Sequence, residues 1–192
     1  MSEVGGPGTR PFRLLVMCTA NQCRSPMAEQ LAISLLRERG VDAQVVSAGV
    51  MDGGVPATRG AVKALARFDL DLSAHVSKRV DADTVGAADL ILTMERKHLR
   101  TVAELDPTAL DRAFTLKELD GLAAAVGPRP AGLAPRDWIS RANAMRLPGS
   151  VLTLDPSQDL ADPMGGPSRG YRRAAAEIES SLRGVLSRLF PG

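Results

Sequence analysis

The chain has 192 residues, of which 44% are apolar and 24% charged, and its 24 Lys and Arg against 22 Asp and Glu leave a formal charge of +2. That length suits one hydrophobic core, and the two signs of charge are mixed along it, which excludes a nucleic-acid footprint and a polybasic membrane anchor. Two cysteines, Cys18 and Cys23, exclude a disulfide framework, and with His75 and His98 far apart and lacking ligand spacing they argue against a structural zinc site.

Met1 to Arg10 is small, polar and glycine-rich, without the apolar core of a secretory signal, and no later segment is an 18-residue apolar span, so a cytoplasmic chain is expected. Phe12 to Met17 holds Leu14, Leu15 and Val16 in a row and predicts a buried strand. The run Cys18-Thr19-Ala20-Asn21-Gln22-Cys23-Arg24-Ser25-Pro26 follows, and its end reads as a helix start with Pro26 at the first helical position and Ser25 as a cap. Met27, Ala28, Leu31, Ala32, Leu35 and Leu36 recur at helical spacing up to a stop at Gly40. A second strand is predicted over Gln44 to Ser47, a helix over Arg59 to Phe68 with Ala61, Leu65 and Phe68 inward, a strand over Leu90 to Thr93, and the end of another helix over Thr101 to Leu105.

From Gly121 to Ser150 the rhythm breaks: Gly127-Pro128-Arg129-Pro130 and Gly132 read as loop, and Pro135 to Met145 as a short helix carrying the single tryptophan, Trp138. Trp138 either pins this insertion to the core or walls a substrate pocket. The last helix is the clearest, with Tyr171, Ala174, Ala175, Ile178, Leu182, Val185, Leu186 and Leu189 at spacings of three and four. Alternation of strand and helix predicts an α/β protein whose parallel sheet is covered on both faces.

A five-residue loop from strand end to helix start can turn its backbone N–H groups inward, where the helix N-terminus adds positive charge, and so make an anion cup. Arg24, six positions after Cys18, can close that cup with two parallel hydrogen bonds to phosphate oxygens. The same field favours the thiolate of Cys18, the predicted nucleophile, to which Ser25 can donate its hydroxyl proton. Arg24 and the loop N–H groups supply the electrostatic stabilisation, so no metal or organic cofactor is expected. Phosphoryl transfer to sulfur also calls for a carboxylic acid that protonates the leaving oxygen, and three Asp-Pro pairs compete for the role, at Asp106, Asp155 and Asp162. Cys23 is either a small buried apolar residue or a thiol able to capture an oxidised Cys18 as a disulfide.

These residues resemble the low-molecular-weight protein tyrosine phosphatase family, whose signature is Cys, five residues, Arg, then Ser or Thr and usually Pro. Ser47-Ala48-Gly49, His75-Val76-Ser77, Asp89-Leu90-Ile91-Leu92-Thr93-Met94, Phe114-Thr115-Leu116-Lys117-Glu118 and Asp162-Pro163-Met164-Gly165-Gly166 extend the likeness in order, over roughly residues 12 to 119 and 159 to 190. The resemblance implies a doubly wound open parallel sheet with helices on both faces and the phosphate-binding loop after the first strand. It implies one phosphatase domain over 12–190, after an N-terminal segment 1–11 and with an insertion at about 120–158. The activity implied is hydrolysis of phosphotyrosine on proteins through a cysteinyl phosphate, releasing inorganic phosphate, with Cys18 as nucleophile, Arg24 as clamp and Asp162 as general acid and base. Substrate would touch Thr19, Ala20, Asn21, Gln22, Cys23, Ser25 and Met164, while Asn21, Ser47 and His75 support the loop.

Four positions depart from the family pattern. Ala20 replaces a usual Gly in a crowded loop; Gln22 stands where the tyrosine phosphatases carry an aliphatic residue and the arginine phosphatases Thr; Met164 replaces an aromatic pocket wall; Glu95 replaces Asp. The alternatives are therefore a protein arginine phosphatase or a small-molecule phosphomonoesterase, then an arsenate reductase, for which Cys23 is the sole reserve thiol, and a silent phosphoprotein binder.

Overall fold

Leu14, Leu15 and Val16 in succession leave no polar face, which suits only a strand covered on both sides. The computed structural model, which describes residues 10–147 and 156–192, places them in β1 (Phe12–Cys18), a central strand whose Leu14 to Met17 are fully buried. With β2 (Ala43–Gly49), β3 (Leu90–Thr93) and β4 (Ala113–Thr115) it forms a four-stranded parallel sheet of order β2-β1-β3-β4. In this register Cys18 lies beside Gly49 and Met17 beside Thr93, so the carboxyl ends of three strands meet at one edge. That edge, where strand order reverses around β1, is where open α/β sheets bind ligands.

Alternation along β1 separates two cores. Leu14, Val16 and Cys18 face helices α1 (Arg24–Glu38), α2 (Arg59–Leu65), α5 (Leu116–Val126) and α7 (Ser168–Leu189). Leu15 and Met17 face the smaller layer of α3 (Ala82–Ala87) and α4 (Lys97–Leu105). The predicted stripe of α7 is buried throughout, from Tyr171 to Leu189. Among the described residues no helix is long and apolar enough to cross a membrane.

Three local expectations are corrected. Helix α1 begins at Arg24 with Cys23 at the cap position and no side-chain cap, so Pro26 is its third residue and Ser25 is not a cap. The Ser25 hydroxyl turns to Cys18 instead. The predicted helix 59–68 is α-helical only to Leu65 and tightens to a 3₁₀ turn over Ala66–Phe68, ended by Asp69 at φ +56°. Strand β2 outruns Gln44–Ser47 at both ends and reaches Gly49, whose N–H and C=O bond to the 78–80 segment.

Past α5, the segment 127–147 is tied down firmly. Trp138, on α6 (Pro135–Ala144), is fully buried in the larger core and donates its Nε1–H to Gly127 O at 3.0 Å, so of its two readings the pin to the core is the one its position fits. Arg146 stacks 3.8 Å over the Phe114 ring and holds both oxygens of the buried Glu118, at 3.1 and 2.8 Å. Glu118 in turn completes a capping box with Thr115 at the start of α5. Residues 1–9 and 148–155 lie outside the described residues, and with them Asp155 and most of the N-terminal segment 1–11.

Candidate active site

The loop between β1 and α1 is held from outside by its carbonyls. Cys18 O and Thr19 O accept from Val50 N, and Thr19 O also from Met51 N at 3.0 Å. Asn21 O accepts from His75 Nε2 at 2.7 Å, and Gln22 O from Thr58 N at 2.8 Å. Because each peptide is planar and trans, drawing these oxygens outward turns the N–H of the next residue the opposite way, toward the sulfur side of the loop. The N–H of the remaining loop peptide, that of Asn21, reaches Cys18 Sγ at 3.2 Å. Asn21 takes the left-handed turn this needs, φ +53°, which its residue type tolerates. The departure at Ala20 is accommodated: among non-glycine described residues positive φ falls only on Asn21 and Asp69, and the Ala20 methyl is buried without one. The glycine that matters is Gly49, where a Cβ would stand 2.8 to 2.9 Å from the backbone of Thr19, Ala20 and Asn21.

A chain of side chains leads to the sulfur. Lys78 N–H donates to Asn21 Oδ1 at 2.8 Å, which fixes the amide orientation and sends Nδ2 to Ser25 Oγ at 2.9 Å and Ser47 Oγ at 2.8 Å. The Ser47 hydroxyl in turn donates to Glu29 Oε2. Ser25 Oγ, already accepting from Asn21, has its proton free for Cys18 Sγ at 3.0 Å, the stronger of its two contacts; the other, to Ala48 O, is 3.4 Å. Cys23 stands apart from this network. Burial first, then the nearby charges of Asp162 and Cys18, push its thiol up to about 12, so at neutral pH it is the protonated, unreactive member of the pair.

Arg24 is 1% exposed, and its Nη1 donates to Leu160 O at 2.8 Å while Nη2 donates to Asp162 Oδ2 at 2.6 Å. Glu95 Oε1 is 2.7 Å from Nη1 as a charge contact without hydrogen-bond alignment, and Glu95 also holds Lys97 at 2.8 Å. Burial works to raise the carboxyl of Glu95, but Lys97, Arg24 and His98 together hold it below the usual range. Segment 159–162 reaches this place through Leu160 N to Met94 O at 2.8 Å and Arg96 N to Asp159 Oδ1 at 2.7 Å, both at the end of β3. Asp162, with its side chain 43% exposed, sits at the mouth, and Met164 N–H donates to its Oδ1. Thus Cys18, Ser25 and Asn21 form one contact network, Arg24 at the end of the same loop holds Asp162 and Leu160 O in a second, and Gln22 in the loop is half-buried while Met164 beside Asp162 is exposed. The competing Asp106 is occupied as a cap: its Oδ1 accepts from Thr108 N at 2.9 Å and its Oδ2 from Arg112.

Sequence reasoning missed His98. It is 1% exposed, its Nε2 is 3.0 Å from Thr19 Oγ1, and its Nδ1 is buried without a partner among the described residues. An orphaned buried N–H costs about 1–3 kcal/mol, so the proton belongs on Nε2, donated to Thr19, with only a lone pair left unmet at Nδ1. The signal for it was the (i, i+3) spacing of Glu95 and His98 on the strand-to-helix turn, meaningless until that turn is set beside the loop. Burial, opposed by Glu95 and reinforced by Arg24, pushes His98 down to about 4 from 6.5. The unfolded chain therefore binds a proton that the folded one refuses between those pH values, and stability, complete above 6.5, falls as pH drops toward 4. At ~1.4 kcal/mol per pH unit this amounts to about 3 kcal/mol. His98→Gln should lose that part of the acid destabilisation, read by urea denaturation at pH 4.5 and 7; an unchanged difference between the two pH values contradicts it.

Residues 13–126 match the family model described as low molecular weight phosphotyrosine protein phosphatase. The chain is similar to a protein-arginine-phosphatase of Bacillus subtilis, 29% identical over 92% of this chain and 95% of that one. It is also similar to a probable low molecular weight protein-tyrosine-phosphatase, EpsP, of Ralstonia solanacearum, 35% identical over 56% and 72% of the two chains. Of solved structures, that of a YwlE mutant from Bacillus subtilis superposes with TM-score 0.70 at 29% identity over 93% and 98% of the chains. A low molecular weight protein tyrosine phosphatase from T. tengcongensis gives 0.68 at 29% identity over 92% and 98%.

Proposed function

This chain belongs to the low molecular weight phosphotyrosine protein phosphatase family, and from that membership we propose that it hydrolyses phosphotyrosine on proteins through a cysteinyl phosphate formed on Cys18. The observation that carries the reading is the placement of Cys18 Sγ between Asn21 N–H at 3.2 Å and the Ser25 hydroxyl at 3.0 Å, beside an arginine joined to a mouth carboxylate at 2.6 Å. Two hydrogen bonds to sulfur favour the thiolate as nucleophile and as leaving group. The phosphate of the substrate takes up the loop N–H groups and competes with Asp162 for the Arg24 guanidinium, which frees Asp162 to face the leaving oxygen.

In the first step the S–P bond forms and the P–O bond to tyrosine breaks, with the phenolic oxygen taking its proton from Asp162. In the second step the Asp162 carboxylate takes a proton from water as that water attacks phosphorus, the S–P bond breaks, and inorganic phosphate leaves. Glu95 and Leu160 O hold the guanidinium, and His98 holds Thr19, so these act through the clamp and the loop and not on the reacting atoms. Residues 12–190 form one phosphatase domain on this reading, decorated by the 120–158 insertion, and the enzyme works in the cytoplasm.

A second reading, hydrolysis of the P–N bond of phosphoarginine, has two observations of its own. The Bacillus subtilis protein matched over nine-tenths of this chain is named an arginine phosphatase, and Met51 and Met164, whose backbone N–H groups bond Thr19 O and Asp162 Oδ1, are exposed apolar side chains that are not aromatic. Parallel rates on phosphotyrosine and phosphoarginine peptides decide between them. Faster phosphotyrosine turnover supports the first reading, faster phosphoarginine turnover the second, and inertness toward both overturns the pair.

A further inference from the structure

Two stretches beside the mouth carry cations and no acid. Between Gly53 and Phe68 stand Arg59, Lys63 and Arg67, and between Pro163 and Ala176 stand Arg169, Arg172 and Arg173; neither stretch contains a carboxylate. All six side chains belong to exposed residues, and among the described residues none forms an ion pair. Elsewhere the chain pairs its cations readily, as in Arg183 with Glu179 and Lys117 with Glu177.

Tertiary structure brings the two stretches together. Gly60 packs its backbone against the Tyr171 ring so closely that a Cβ there would stand 2.6 Å from it, which sets the chain neighbours Arg59 and Arg172 beside one contact. Both stretches also reach the site directly. Thr58, next to Arg59, donates its N–H to Gln22 O in the phosphate loop, and Gly165, three residues past Asp162, donates to the Tyr171 hydroxyl.

This arrangement works against stability. Arg169, Arg172 and Arg173 occupy the first turns of a 22-residue helix, where the macrodipole is positive and no acid is present. Arg59 with Lys63, and Arg169 with Arg173, are like-charged pairs at (i, i+4) spacing, which is also unfavourable. Cations kept unpaired in such places suit a partner that brings the opposite charge.

We propose that the α2–α7 face is the docking surface for acidic residues flanking the phosphorylated side chain of a protein substrate. The proposal rests on the phosphatase reading and narrows its substrate class to phosphoproteins with acidic sequence around the modified residue. A polypeptide whose phosphate lies in the loop must cross this rim, and charges there act mainly on encounter rate and selectivity.

The test compares the parent with the triple variant Arg59→Gln, Arg172→Gln, Arg173→Gln. Rates are measured on matched phosphopeptides with acidic or neutral flanks and on a small aryl phosphate, and binding of both labelled peptides is measured in a Cys18→Ser background. The expected result is a ten-fold or greater loss of kcat/KM and affinity for the acidic peptide only, removed by 0.5 M salt. Aryl phosphate turnover should stay within two-fold and Tm should be equal or higher. Equal loss for both peptides, or no loss, overturns the docking surface. So does loss of binding to vesicles of anionic lipid without any discrimination between peptides, which would make the face a membrane contact. Absence of aryl phosphate turnover in the parent would instead sink the phosphatase reading, and the binding arm would still decide the surface.

Discussion

Cys18→Ser is expected to abolish turnover of every phosphomonoester, by on the order of 10⁴ to 10⁶-fold, while leaving inorganic phosphate binding and Tm close to the parent. Cys18 is 3% exposed, and its Sγ meets the Asn21 N–H and the Ser25 hydroxyl. A serine hydroxyl, with its much higher pKa, keeps its proton in the same place, because among the described residues the groups that contact Sγ are donors and not bases. The binding elements, the loop N–H groups and Arg24, are untouched. Isothermal titration with phosphate, beside a rate assay, separates the two effects. Retained turnover in the serine variant, or turnover that survives alkylation of Cys18, would remove the nucleophile from the mechanism.

Asp162→Asn should cost about 10² to 10⁴ in kcat on a phosphotyrosine peptide, with a much smaller loss on an aryl phosphate whose phenol is strongly acidic. The tyrosine phenolate, whose conjugate acid has a pKa of about 10, leaves with the help of the proton that Asp162 supplies; the much less basic nitrophenolate departs without it. The substitution also breaks the 2.6 Å pair with Arg24, and that effect belongs in KM, since the clamp must otherwise be released when phosphate binds. A steep dependence of the kcat loss on leaving-group acidity is therefore the diagnostic of the acid role. Equal losses across leaving groups would reduce Asp162 to a partner of Arg24. The same series on Asp155→Asn tests the remaining Asp-Pro candidate.

The parts of the site that could be read directly are those in which chemistry and local structure share a few residues. Cys18 and Arg24 bracket one loop between a strand of three consecutive branched apolar residues and a helix with Met27, Leu31 and Leu35 on its inner face, and their spacing alone brings thiol and guanidinium to one turn. Residue-type arguments were weaker. Ser25-Pro26 looks like a capped helix start, yet the helix begins at Arg24, because the loop presents Cys23 at the cap position and Ser25 is drawn to the sulfur. Ala20 looked too large for its place, yet the left-handed residue is its neighbour Asn21. Asp162 was separable from Asp106 and Asp155 only by likeness to a family, since an Asp-Pro pair carries no information about which strand end it will meet.

From its residues alone this chain determined an alternating α/β order, the buried stripe of its last helix, and a loop fit to bind an anion beside a thiol, because periodicity and short-range spacing act within one element. Tertiary structure decided which distant groups serve that loop. Asp162 meets Arg24 across 138 residues, His75 and Val50 draw the loop carbonyls outward, His98 takes the Thr19 hydroxyl, and Trp138 turns inward. The physical reason is the parallel sheet: its crossovers bring the carboxyl ends of β1, β2 and β3 to one edge, and side-chain periodicity sets which face of an element is buried but not which loops will share that edge.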